Sequence, residues 1–236
     1  MALCSAIRKF FSGTGNSAAK TKDPTISAES SGDAQRLQAA HASHGALKLH
    51  FGCGPRVLKG WINIDLRFVH YAEYLKYYTD KHYPEHVRGD RSDMYVLDIT
   101  KAPIPLPDNS VDLIFHEDFI EHLSQKNQII LLAECLRVLK PGAVHRVNTP
   151  DLIASMEHNS DMKAGRAGVY SKEWDAHGHI NVLTSSCLKE MALMVGYSEV
   201  VFTARNCSIS KGIPLEYRPD PNDRDEGGNI FADLIK

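Results

Sequence analysis

Five groups able to move a proton or hold a cation stand within seven residues of one another: His116, Glu117, Asp118, Glu121 and His122, in HEDFIEH. A histidine titrates near neutral pH, which suits it to take a proton from a hydroxyl. His122 is the expected base, and Glu117 is the second expected catalytic group. A second set lies upstream. LHFGCG, 49–54, closes an apolar run with Gly52 and Gly54. GWINIDL, 60–66, closes the next with Asp65 and Leu66. Glycine lets a chain turn sharply and lets a ligand approach its backbone. A carboxylate accepts hydrogen bonds from both hydroxyls of a ribose. LDIT, 97–100, adds Asp98, an acid placed to hold an adenine amino group. The third glycine of a dinucleotide fingerprint is missing, and there is no G-K-S/T of a P-loop. A nucleoside-containing cofactor is the expected occupant.

These residues fall where an α/β sheet presents ligands. LKLHF, GWINIDL, MYVLDIT and SVDLIFHE read as four strands bounded by turn residues. In SQKNQIILLAECLRVLKPGA the period changes. Ile129, Leu132, Leu136 and Leu139 recur at helical spacing, and Pro141-Gly142 is the expected stop. AVHRVNTP reads as a fifth strand. LTSSCLKEMALMVGY reads as a helix with Leu188, Met191, Ala192 and Val195 on one face and Gly196 as its stop. EVVFTAR and NIFADLIK follow as strands. The alternation predicts an α/β fold: a mostly parallel sheet with helices on both faces and an antiparallel C-terminal edge. Ligands in such sheets sit beyond the carboxyl ends of the strands.

The segments LHFGCGPRVLKGWINIDL, LDIT, LPDNSVDLIFHEDFIEHL and LLAECLRVLKPGAVHRVNTPDL, with the ending NIFADLIK, resemble class I S-adenosylmethionine-dependent methyltransferases over nearly all of 45–236. The subgroup most similar is the predicted methyltransferases associated with glycan and surface-polysaccharide biosynthesis. The resemblance implies a Rossmann-like fold and S-adenosylmethionine as cofactor. It implies that Phe51, Gly52, Cys53 and Gly54 wrap the methionine and ribose, and that Asp65, with Leu66 beside it, binds the ribose. It places Asp98 and Ile99 at the adenine, and His116 with Glu117 beneath the methionine. The expected reaction is O-methylation of a saccharide or other small hydroxylated metabolite. The chain departs from the family in two places. Few residues separate Gly54 from Trp61, so the usual first helix is a turn long or missing. Ala143 also stands where a second glycine commonly follows L-K-P-G.

Asp118, Glu121 and His122 form D-x-x-E-H. It resembles the E-x-x-E-H magnesium site of ubiquinone-pathway O-methyltransferases and of small-RNA 3′-end 2′-O-methyltransferases. Asp118 replaces the first glutamate, and His177 or His179 would complete the set. A divalent metal is the less favoured alternative to a simple base. RNA 2′-O-methylation and an inactive cofactor-binding module are the rival functions. Tyr71, Tyr74, Tyr77 and Tyr78 lie in 67–94, which reads as an insertion over the site.

Composition sets outer limits. The chain of 236 residues is 43% hydrophobic and 24% charged, with formal net charge −2, so nucleic acid is not a favoured partner. Five scattered cysteines lack any C-x-x-C pair, which argues against a disulfide framework or cysteine zinc site and for a cytoplasmic setting. No run approaches the length of a membrane span. Residues 12–44 are small and polar, so 1–44 is expected to be a flexible tail and 45–236 the catalytic domain.

Overall fold

A computed structural model describes residues 24–41, 45–74, 80–159, 173–175, 177–216 and 228–236. Seven strands form one sheet: β1 (Lys48–Phe51), β2 (Ile62–Asp65), β3 (Met94–Val96), β4 (Val111–Glu117), β5 (Leu139–Pro150), β6 (Glu199–Phe202) and β7 (Asn229–Ile235). Their order is β3-β2-β1-β4-β5-β7-β6. β1 to β5 pair in parallel, and β7 runs antiparallel to both β5 and β6. This is the expected Rossmann-like arrangement, mostly parallel with antiparallel strands at the C-terminal edge. The chain moves outward from β1 through β2 to β3, then returns to place β4 on the other side of β1. The carboxyl ends of β1 and β4 therefore flank the point where the winding reverses, the usual ligand position in such sheets.

Strand alternation sorts the core. Leu49, Phe51, Ile114, Val147, Ile230, Ala232 and Leu234 face one side and share a single cluster. Three helices contribute to it: α1 (Pro24–His41) through Leu37, α2 (Gln125–Val138) and α4 (Ser185–Val195). A fourth, α3 (Leu152–Asn159), was not expected from the sequence. On the opposite face Leu113, Phe115 and Val144 meet Leu58, Trp61 and Tyr83, with Tyr71 and Ile213 packed against them. Among the described residues, the chain on that face includes two short 3-10 helices, Tyr71–Tyr74 and Glu85–Val87. The connection between β1 and β2 is too short to carry a helix across it.

Residues 24–41 correct the expected tail. They form α1, which lies along the edge strand β3. Asp33 is buried, and its Oδ2 accepts from the Val96 amide at 2.7 Å and from Arg91 at 3.1 Å. Arg36 donates to the Met94 carbonyl, and its guanidinium lies 4.2 Å from the centre of the Tyr95 ring. Leu37 is fully buried. An edge strand exposes unpaired backbone groups, and these polar contacts partly cover them. One leucine then suffices where composition shows little apolar material. Residues 1–23 and 42–44 lie outside the described residues.

α2 begins at Ser124, whose side chain accepts from the Asn127 amide. Its buried side chains include Gln128, Leu131, Leu132, Cys135 and Val138, whereas Ile129 is exposed, so the buried face is rotated from the one expected. The helix ends at Val138, before Pro141-Gly142, because the residue preceding a proline avoids helical backbone. α4 fits its expected face: Leu188, Ala192 and Val195 are buried, and Gly196 ends the helix at φ 122°. The described parts of 67–94 pack on the second face of the sheet, where Tyr83 is buried and donates to the Val57 carbonyl. Tyr71 packs against Tyr83; Tyr77 and Tyr78 lie outside the described residues. None of the described helices is long and apolar enough to cross a membrane.

Candidate active site

The turn after β1 is built by its glycines. Gly52 and Gly54 sit at φ +61° and +49°, in the left-handed region. A Cβ on Gly52 would lie 2.5 Å from Cδ2 of Phe119, so this glycine is required by packing as well as by backbone. A Cβ on Gly54 would meet nothing within 4 Å, so space lies open beside it. Asp65, at the end of β2, cross-links the turn. Its Oδ2 accepts from the Gly54 amide at 2.8 Å and its Oδ1 from the Leu66 amide at 2.6 Å. The sequence reading assigned Asp65 to a ribose alone and missed this bracing role.

Asp65 and Leu66 line one cleft with Asp98, Ile99, Phe119 and Leu123, enclosing about 340 Å³ with open solvent included. Asp98 lies beyond β3, which ends at Val96 rather than running on to Thr100. Its Oδ1 accepts from the Thr100 amide at 3.1 Å and hydroxyl at 2.6 Å, and Lys101 pairs with Oδ2. Burial pushes this carboxyl up, but those bonds outweigh it and hold the group below its usual range. Two acids among apolar walls suit a nucleoside, which offers polar edges and a flat apolar face. The residues present therefore fit S-adenosylmethionine. Phe119 and Leu123, which sequence reasoning did not select, supply part of the wall.

Other expected contacts are placed elsewhere. The Phe51 ring is fully buried and stacks on Phe119 at 6.2 Å. The Cys53 thiol is buried, and burial, with Asp65 beside it, pushes it well up; only backbone at these two positions can meet a ligand. His116 is a correction. Its ring is fully buried between Phe119 and His145, neither nitrogen has a hydrogen-bond partner, and burial lowers its pKa to about 3. It is a neutral core residue, because alternation on β4 turns it into the helix-covered face. Glu117 faces the other way. Its carboxylate accepts from Arg56 at 2.9 Å and from Asn148 at 2.7 Å, with 9% of the side chain exposed. A carboxylate tied this way braces the ends of β4 and β5; it is not gathered with His122.

His122 ends a short 3-10 turn, Ile120–His122, just beyond β4, and is exposed. Its ring lies 4.9 Å from that of His179, and His177 stacks on His179 at 5.5 Å. Donor atoms of Glu121, His122 and His179 all lie within 4.8 Å of one another. Asp118 is not in that set; it takes a left-handed backbone, φ +49°, at the strand end. Glu173 joins the cluster through His179 and carried no sequence signal beyond lying six residues before it.

Residues 49–147 match a family model described as a methyltransferase domain. A probable S-adenosylmethionine-dependent methyltransferase of Mycolicibacterium smegmatis is 36% identical over 119 residues, 50% of this chain and 43% of that protein. A second, from Mycobacterium tuberculosis, is 37% identical over 68 residues, 29% of this chain and 24% of that one. The chain thus spans less than half the length of these curated relatives. A crystal structure of a SAM-dependent methyltransferase from Archaeoglobus fulgidus matches with a TM-score of 0.48 at 14% identity, over 86% of this chain and 94% of that one. The family-model match covers 49–147, less than half of the chain, and the likeness to methyltransferases is a likeness over that segment, which holds β1 to β4 and the start of β5.

Proposed function

We propose that the chain methylates a hydroxyl of a saccharide or another small hydroxylated metabolite, with S-adenosylmethionine as donor. The observation that carries this reading is one turn of chain. Phe119 and Leu123 stand in the cleft wall, and the exposed His122 lies between them in sequence. Asp65 and Asp98 would hold the cofactor's polar edges, with Leu66 and Ile99 against its apolar parts. When bound, the cofactor supplies a methyl group on a positively charged sulfur. The protein's part is to orient an acceptor oxygen and to take its proton, and His122 is the group we place at that proton. A net charge of −2 favours a small acceptor over a nucleic acid. Cys53, Cys135, Cys187 and Cys207 are unpaired, in keeping with a reducing, cytoplasmic setting.

The test is release of S-adenosylhomocysteine with a panel of sugars, small hydroxylated metabolites and a structured RNA. Turnover on a sugar or small hydroxyl supports the reading. Turnover on RNA alone overturns the acceptor class, and cofactor binding without turnover on any extract fraction points to an inactive module. With an acceptor in hand, His122→Ala should lower kcat by at least about tenfold and leave the cofactor Kd unchanged. Full activity in that variant would remove His122 from the mechanism.

A further inference from the structure

In sheets of this kind a helix usually follows the turn after the first strand and seats that turn against the sheet. Among the described residues, no helix stands between β1 and β2. Arg56 occupies the place. Its amide donates to the Cys53 carbonyl at 2.8 Å and closes the glycine turn. The residue is 4% exposed, and its guanidinium leaves the turn in two directions. One terminal nitrogen donates to Glu117 Oε2, at the end of β4, at 2.9 Å. The other donates to the Leu215 carbonyl, in the segment after β6. Both partners are themselves held. Glu117 Oε1 accepts from Asn148 on β5 at 2.7 Å, and Asn148 accepts from Asn229 on β7 at 2.8 Å. Glu216, next to Leu215, exchanges two hydrogen bonds with Asn206, at 2.6 and 2.7 Å, besides its pair with Arg146. A buried ion pair adds little net stability over apolar side chains of the same size, because both charges lose their water. What it does fix is direction, and a planar guanidinium spans two separate partners in a way that the single nitrogen of lysine does not.

We propose that Arg56 takes the part of the missing helix: it is a positioning residue that seats the glycine turn for the cofactor and ties that turn to residues 206–216. The cofactor then meets a turn whose Gly54 amide is set by Asp65 and whose far end is set by Arg56. Binding that stiffens the turn also stiffens what Arg56 holds. Cofactor affinity and the order of 206–216 are therefore linked, and the linkage runs both ways. That segment packs on the second face of the sheet through Ile213, with Gly212 beside Leu113, and lines no part of the cleft. Glu117, expected from the sequence to act in catalysis, is the anchor of Arg56. The role rests on the cleft being the S-adenosylmethionine site.

Hydrogen exchange of the full-length protein, with and without S-adenosylhomocysteine, reads the linkage with no substitution at all. The ligand should slow the amides of the turn, 53–57, and those of 206–216 together. Calorimetry reads the affinity. In Arg56→Met with Glu117→Gln both charges go together, and the new amide still accepts from Asn148, so no charge is stranded in the core. This double variant should melt near the wild type, bind S-adenosylhomocysteine at least about tenfold more weakly and lose the protection of 206–216. Arg56→Lys, which keeps the charge beside Glu117, should fall between the two. Val138→Ala is the comparison. Val138 is fully buried where α2 meets the start of β4, far from the turn, so this variant should melt lower and bind as the wild type does. The proposal is overturned if protection in the wild type stops at the turn, or if the double variant binds as the wild type does. If the wild type binds no S-adenosylhomocysteine, the cofactor reading falls and this role with it.

Discussion

Asp65 carries two burdens at once, and substitutions separate them. Its oxygens brace Gly54 and Leu66, and it lines the cleft. Asp65→Ala removes a charged acceptor from both, and each hydrogen bond to a charged group is worth about 1.5–3 kcal/mol. Calorimetry should show cofactor affinity reduced at least tenfold together with a lower melting temperature. Equal affinity would end the ribose assignment. Gly52 offers a cleaner case. Gly52→Ala forces a Cβ against Phe119, and overpacking of this kind costs about 1–3 kcal/mol. In a Phe119→Ala background the ring contacts at 2.5 and 2.7 Å go and only the Cβ contact at 2.8 Å stays, so the penalty should shrink toward the about 1–2 kcal/mol of left-handed backbone. Comparing the two pairs by urea unfolding checks this. Purely additive losses would show that Phe119 is not what excludes a side chain at Gly52.

At the scale of elements, the strands and α4 were legible because their apolar spacing is regular and their ends carry strong stops. α1 was not. Among its described side chains the buried ones are Leu37 and Asp33, and only the edge strand beside them gives them meaning. Glu173 was invisible for the same reason: its partners, Ser155 and His179, come from elsewhere in the chain. Leu37→Ala should therefore destabilise the domain by about 2–5 kcal/mol, as for other fully buried leucines. A chain starting at Gly45 should melt lower still. Unchanged melting in both would mean that α1 adds nothing to β3. A second tie binds the loop after β6. Arg146 on β5 is fully buried and bidentate on the equally buried Glu216, at 2.7 and 2.9 Å, and reaches Asp233 on β7. Glu216→Gln leaves a buried guanidinium short of its counter-charge, and breaking such a pair costs about 3–5 kcal/mol. Urea unfolding measures it; a loss under about 1 kcal/mol would show Asp233 compensating in full.

For the molecule as a whole, the three central strands bury three neutral histidines: His50 on β1, His116 on β4 and His145 on β5. Burial is the main cause in each, lowering His50 and His116 to about 3 and His145 well below its ordinary value. In the unfolded chain each takes a proton near pH 6.5. Below that pH the unfolded state binds more protons than the fold, so stability is full above 6.5 and falls as the pH drops toward 3. At pH 5.5 each buried ring should cost about 1.4 kcal/mol, which makes acid loss steep for a chain of this size. His116→Leu isolates one ring. Neither nitrogen of His116 has a hydrogen-bond partner, so an apolar side chain leaves nothing unsatisfied. The difference in unfolding free energy between pH 7.5 and 5.5 should shrink by about 1.4 kcal/mol in this variant, with cofactor affinity kept. An unchanged difference would mean that His116 takes up its proton in the fold as readily as in the unfolded chain. A large fall in affinity would return its side chain to the cofactor site.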